Sequence, residues 1–274
     1  MSIVLEQKFM QDYIRCANDG WEWKFHERNG GNLSYRMRAE EVEACKSEFT
    51  YDQEWVSLGV TAENLANEYF VVTGSGKFFR NVILNPAANL CILRLNEKGD
   101  SYQVVWGLVE GGKPSSEFPS HVTSHSVKVA QSDDYRIIYH AHPVNIISLT
   151  FVTEIDDKAL TLALWESMTE CSVIFPEGVG FVRWMVPGGA EVALETKKLM
   201  EKYNVVVWEA HGLFCAGDTF DNVFGLMHTV EKAAEIRMKV LATGLPFRRA
   251  IDAQGLRDCA VRYSLNLNED LLDE

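Results

Sequence analysis

No two of the six cysteines (Cys16, Cys45, Cys91, Cys171, Cys215 and Cys259) form a C-x-x-C, and their scatter supports neither a disulfide framework nor a thiolate-rich zinc site. Basic residues are few. With 26 Lys and Arg against 39 Asp and Glu, the formal net charge is −13, which excludes the basic face that nucleic acid or an anionic membrane requires. That charge still allows a phosphorylated small molecule, because backbone amides, hydroxyls and one cation hold a phosphate locally. Long apolar runs are missing too. The longest uncharged stretch, 137–153, holds two histidines, a proline and an asparagine, unlike a membrane span. The N-terminus, MSIVLEQKFMQDY, becomes charged too early for a signal peptide, so a reduced, cytoplasmic protein is expected. No repeat or low-complexity tract interrupts the chain, and residues 1–274 are expected to form a single domain. A doubly wound dinucleotide fold is also excluded, for no G-x-G-x-x-G joins a first strand to a helix.

Periodicity supplies the elements. Helical spacing of Leu5, Phe9, Met10, Tyr13, Ile14 and Ala17 predicts a helix over 4–19, with Gly20 as its stop. Strand patterns cover 33–37, 69–73, 90–95 and 102–106, separated by turns such as Asn29-Gly30-Gly31-Asn32. Further helices are expected from Pro119 to about Ala130 and over 144–152, 159–168, 191–203, 221–242 and 250–263. Strands are expected at 136–140, 171–175 and 205–208. Early strands joined by short turns, with helices interspersed later, indicate an α/β fold: an α/β/α sandwich around a mixed, mostly antiparallel sheet.

The chemistry concentrates in a few stretches. In I-I-Y-H-A-H-P-V-N, residues 137–145, His140 and His142 alternate along a strand and so project from one side. A third imidazole, His211, ends the apolar run N-V-V-V-W-E-A-H-G, where Gly212 relieves crowding. Three histidines leaving a fourth position open match a catalytic zinc site better than a closed structural one. The other reading is hydrogen-bonded core histidines. His121 and His125, four apart, are a weaker metal pair because they lack a third partner. V-V-T-G-S-G-K-F-F, residues 71–79, offers backbone N–H groups and Lys77 to a phosphate, or is only a tight turn; with Val71 and Phe78 it is no P-loop. E-R-N-G-G-N-L-S, residues 27–34, suits the same two roles. In P-S-S-E-F-P-S-H, Ser115 and Ser116 either cap the next helix or bind phosphate. Glu117 is either a first-turn carboxylate or a general base.

Taken together, E-R-N-G-G-N-L-S, V-T-G-S-G-K-F-F-R-N, P-S-S-E, H-A-H and the later H-G resemble the class II aldolase/adducin family in order and spacing, over nearly the whole chain. L-W-E-S-M-T-E-C, F-P-E-G-V-G and W-M-V-P-G are similar to the branch acting on L-rhamnulose 1-phosphate. The resemblance implies reversible cleavage of that phosphorylated ketose to dihydroxyacetone phosphate and L-lactaldehyde by a C4 homotetramer with one Zn²⁺ per subunit. It implies that His140, His142 and His211 hold the metal, that Glu117 moves the proton, and that Asn29, Asn32, Ser75, Gly76, Ser115 and Ser116 surround the phosphate. Glu170 matches an acid donated from the neighbouring subunit; alternatively it is an ordinary helix-end carboxylate. Within the same fold, the alternatives are a fuculose-1-phosphate aldolase, a sugar-phosphate 4-epimerase and a non-catalytic adducin-like interaction module. Zinc-dependent hydrolysis would use similar ligands.

Overall fold

Alternation along the strands decides which face of the sheet each residue serves. The computed structural model describes residues 2–154 and 156–272. Its strands are β1 (Asn32–Arg36), β2 (Val56–Ser57), β3 (Tyr69–Thr73), β4 (Leu90–Leu95), β5 (Ser101–Gly107), β6 (Ile137–Ala141), β7 (Gly180–Val182), β8 (Val205–Trp208) and β9 (Gly212–Gly217). They lie in one sheet in the order β2-β5-β4-β3-β1-β6-β9-β8-β7. Every neighbouring pair is antiparallel except β7 with β8.

One face is apolar throughout its centre. Leu33 and Tyr35 of β1, Ile137, Tyr139 and Ala141 of β6, and Leu213 and Cys215 of β9 share a core with the helices Lys8–Glu22 and Phe220–Leu241. On the other face, Phe70 and Val72 meet Phe118 and Val122 of the helix Phe118–Gln131. There too Ile138 and Phe214 pack with Val192 and Met200 of the helix Ala190–Met200. Helices cover both faces, giving a three-layer α/β/α sandwich with a mixed, mostly antiparallel sheet. Among the described residues, no helix is long and apolar enough to cross a membrane.

Two expectations change. The first long helix starts at Lys8 and runs through Gly20 to Glu22. A Cβ at Gly20 would lie 2.0 Å from the Tyr139 hydroxyl, so this glycine serves close packing and not helix termination. Residues 171–175, expected as a strand, fall largely within the helix Thr169–Ile174. A short apolar run has no period that separates strand from helix, and the helix it forms buries Cys171 and Ser172. β2, β7 and β9 were not anticipated. β9 escapes notice because glycines bracket it. Both are packing requirements, Gly212 against the Ala141 carbonyl and Gly217 against Val223.

Candidate functional site

β6 carries His140 between Asn32 of β1 and Phe214 of β9, its register partners on either side. His142 follows just past the strand end, and His211 sits in the turn joining β8 to β9. Ala210, at φ +54°, makes that turn tight enough to bring His211 back over β6. One ring nitrogen from each of His140, His142 and His211 lies within 4.8 Å of the others. The glycines nearby are what permit the approach. A Cβ at Gly212 would sit 2.2 Å from the Ala141 carbonyl oxygen and 2.9 Å from His142 Cδ2. At Gly30 it would meet the Glu27 carboxylate at 2.4 Å and His142 Nδ1 at 2.8 Å.

The hydrogen bonds fix where the ring protons are. His140 Nδ1–H donates to the Leu213 carbonyl at 3.0 Å, and His142 Nδ1–H to Glu27 Oε1 at 2.8 Å. With Nδ1 protonated, each neutral ring presents an Nε2 lone pair, and these two atoms are 3.2 Å apart. Two acceptors so close require positive charge between them. Burial, and then the neighbouring His142 and His211, hold His140 well below its usual pKa, and burial brings His211 down to about 4. Protonation is therefore disfavoured, and the convergent lone pairs are arranged so that a metal ion would satisfy them. Among the described residues this is the cluster able to coordinate one.

Glu117 faces the same point. Its Oε2 is 3.5 Å from His140 Nε2 and its Oε1 3.9 Å from His211 Nε2. Burial raises its pKa above the ordinary carboxylate value, opposed by a hydrogen bond from the Asn32 amide. Glu117 directly precedes the helix Phe118–Gln131, and its backbone N–H donates to Ser115 Oγ at 3.3 Å. The segment leading to it pairs with the glycine-rich turn after β3. Ser75 N–H donates to the Lys113 carbonyl at 2.7 Å, Ser115 N–H donates to that of Thr73 at 2.9 Å, and Gly74 bridges to Pro114. Ser75, Gly76, Ser115 and Ser116 thus belong to two adjoining loops. Gly76, at φ +71° with open space where a Cβ would point, needs its freedom for backbone conformation alone. Asn29 is exposed in the turn before Gly30.

Asn32 and Glu170 sit in opposite environments, one buried and one exposed. Asn32 is buried, with one N–H of its amide on Glu117 and its carbonyl oxygen on His121, which leaves its second amide N–H as a donor. Glu170 is exposed in the first turn of Thr169–Ile174, and the chain does not bring it to Glu117 or the histidines. His121 bonds to Ser34 and Asn32, and His125 to Ser34. The sequence reading missed Glu27. Its signal was present, a carboxylate three residues before the Gly30-Gly31 pair, but only the fold brings it to His142.

The family described as Class II Aldolase and Adducin N-terminal domain matches residues 11–238. Over 274 residues the chain is 46% identical to the rhamnulose-1-phosphate aldolase of Mannheimia succiniciproducens, covering 99% of this chain and 100% of that one. It is 42% identical to the rhamnulose-1-phosphate aldolase of Yersinia pestis (strain Pestoides F), with 100% of each chain covered. The fold is similar to that of a sugar-phosphate aldolase from Thermotoga maritima, with TM-score 0.74 and 26% identity over 86% of this chain and 96% of that one. An L-fuculose 1-phosphate aldolase shares the fold at TM-score 0.61 and 20% identity, over 95% of this chain and 98% of that one.

Proposed function

Because the chain belongs to the class II aldolase and adducin family, we propose that it cleaves L-rhamnulose 1-phosphate reversibly to dihydroxyacetone phosphate and L-lactaldehyde. The observation that carries this reading is the convergence of three imidazole nitrogens beside a buried carboxylate. The substrate follows from the full-length likeness to rhamnulose-1-phosphate aldolases.

His140, His142 and His211 would hold the metal, which we take as one Zn²⁺ per subunit. When bound, a divalent metal would supply Lewis acidity toward the ketone oxygen, which favours cleavage of the bond between the α and β carbons. Glu117 moves the proton. In the synthetic direction it takes the hydroxymethyl proton of dihydroxyacetone phosphate, and in cleavage it returns that proton to the same carbon. Burial raises its pKa, which favours holding the proton between the two directions. Ser75, Gly76, Ser115 and Ser116, on loops that hydrogen-bond each other, together with exposed Asn29, would hold the phosphate far from the reacting carbons and keep the ketose in register. Asn32 bonds Glu117 and keeps its second amide N–H for the phosphate. Glu170, exposed on its short helix, would reach the aldehyde end of a neighbouring subunit in a homotetramer and protonate the aldehyde oxygen there. We place the enzyme in the cytoplasm.

The test is to incubate the purified protein with L-rhamnulose 1-phosphate, trap the released aldehyde, and repeat with L-fuculose 1-phosphate and after chelation. Preferential cleavage of the rhamnulose ester, abolished by chelator and restored by Zn²⁺, is expected. Interconversion of pentulose phosphates without aldehyde release would mark an epimerase and sink the reading.

A further inference from the structure

His121 and His125 take no part in the site as described, yet both are buried, at 1% exposure, under the sheet face that carries His140. They stand one helical turn apart on Phe118–Gln131, and Glu117 stands one turn before His121. Opposite them on β1, Asn32 and Ser34 are two apart and point to the same face. The helix period and the strand period mesh. Reading from the carboxylate inward, contacts run from Glu117 Oε2 to Asn32 Nδ2, from Asn32 Oδ1 to His121 Nε2, from His121 Nδ1 to Ser34 Oγ at 2.7 Å, and from Ser34 Oγ to His125 Nε2 at 2.8 Å.

Donor and acceptor capacity gives this chain one direction. An ionised carboxylate only accepts, so the Asn32 amide nitrogen must face Glu117 and its carbonyl oxygen must face His121. His121 then donates through Nε2–H. Burial lowers its pKa to about 3, so the ring is neutral and its Nδ1 accepts. Ser34 must therefore donate its only hydroxyl proton to His121 and accept from His125 Nε2–H. Every donor points toward Glu117, and successive donors polarise one another. We propose that Asn32, His121, Ser34 and His125 form a one-way hydrogen-bond chain that holds the Glu117 carboxylate in its working orientation, with His121 as the positioning residue. Oε2 is thereby pinned by the amide, while Oε1 is left to meet the substrate proton. The proposal rests on the role given to Glu117 above.

The experiment compares His121→Phe and His121→Gln in the wild-type and Glu117→Gln backgrounds, measuring kcat, KM, bound metal and thermal melting. Phenylalanine keeps a ring against Phe214 but removes the donor, whereas a glutamine amide restores an N–H near the Nε2 position. His121→Phe should lower kcat roughly 10- to 100-fold, with KM and metal content unchanged, because a misaimed base loses its alignment. His121→Gln should recover most of that loss. In the Glu117→Gln background, His121→Phe should cost nothing further, an outcome that a merely structural role would not give. Undiminished kcat in His121→Phe, or a full additive loss in the Glu117→Gln background, overturns the chain. Ser34→Ala, which removes the hydroxyl feeding His121, should give a smaller loss that also vanishes in the Glu117→Gln background. If the wild type cleaves no ketose 1-phosphate, the functional reading fails. The chain is then decided by ¹⁵N-histidine spectra of the wild type, which also decide it if the variants do not fold. Neutral His121 protonated on Nε2 sustains it, and protonation on Nδ1 refutes it.

Discussion

Acidifying the protein from pH 7 to pH 5 should weaken the fold steeply, through histidines outside the metal cluster. His26 lies flat on Phe79, with ring centroids 3.6 Å apart, and bonds Gly30 through Nδ1 and Tyr139 through Nε2. Burial lowers its pKa to about 3, and that of His121 likewise to about 3. An unfolded histidine titrates near 6.5. Across this window the unfolded chain therefore takes up about 0.7 proton at each of these positions while the folded chain takes up almost none. Stability is whole above the unfolded pKa and drains away as the pH falls toward the folded one. Integrated from pH 7 to 5, this is about 2 kcal/mol per histidine, or about 4 kcal/mol for the two. His125, also held well below its usual value by burial, adds in the same direction. The sum is a large fraction of the 5–15 kcal/mol that domains typically possess.

Buried carboxyls act in the opposite sense. Glu117, Glu177 and Glu231 have raised pKa values, chiefly from desolvation, so the folded chain takes up their protons first and gains stability as the pH falls. The measurement must therefore isolate a histidine. Urea unfolding of wild type and His26→Phe, at one protein concentration and at pH 7, 6 and 5, does so, since phenylalanine keeps the stack on Phe79 and cannot titrate. Between pH 7 and 5 the wild type should lose about 2 kcal/mol more than the variant, whatever their stabilities at neutrality. Parallel pH dependences would refute the reasoning, because they would mean that His26 binds its proton equally in both states.

Three further outcomes are expected. Glu117→Gln should retain metal and KM but lower kcat by on the order of 10²- to 10⁴-fold, checked by steady-state cleavage alongside metal analysis. Gly212→Ala drives a Cβ to 2.2 Å from the Ala141 carbonyl, so it should destabilise the fold by about 2–3 kcal/mol and weaken metal binding, as read by urea unfolding and zinc titration. Ser75→Ala should raise KM for the phosphorylated ketose roughly tenfold, with kcat nearly unchanged, if its hydroxyl contributes one hydrogen bond to the phosphate.

What the sequence could reveal was set by how far apart the cooperating residues lie. His140 and His142 are legible as a pair because strand alternation is a local rule, and Gly212 because a crowded turn beside a histidine is also local. His211, at the end of an apolar run, and Glu117, just before a helix, are legible only as candidates with ordinary structural alternatives; the family resemblance joins them to the pair, and the structure brings all four together. Asn32 shows where local rules stop. Its place in Asn29-Gly30-Gly31-Asn32 suits a phosphate as well as a turn, and nothing nearby in sequence shows its bonds to Glu117 and His121. The β1–β6 register does: with Asn32 opposite His140 and Ser34 opposite Ile138, the asparagine turns under the helix Phe118–Gln131, where Glu117 and His121 occupy both ends of its amide. The same limit hid Glu27, whose partner His142 is 115 residues away. It also explains the misread segment 171–175, too short for its period to separate helix from strand. Ligand types are thus written in short motifs, whereas the residues that aim them are fixed by strand register, and a one-residue slip of β1 would turn Asn32 and Ser34 to the opposite face and leave Glu117 without its donor.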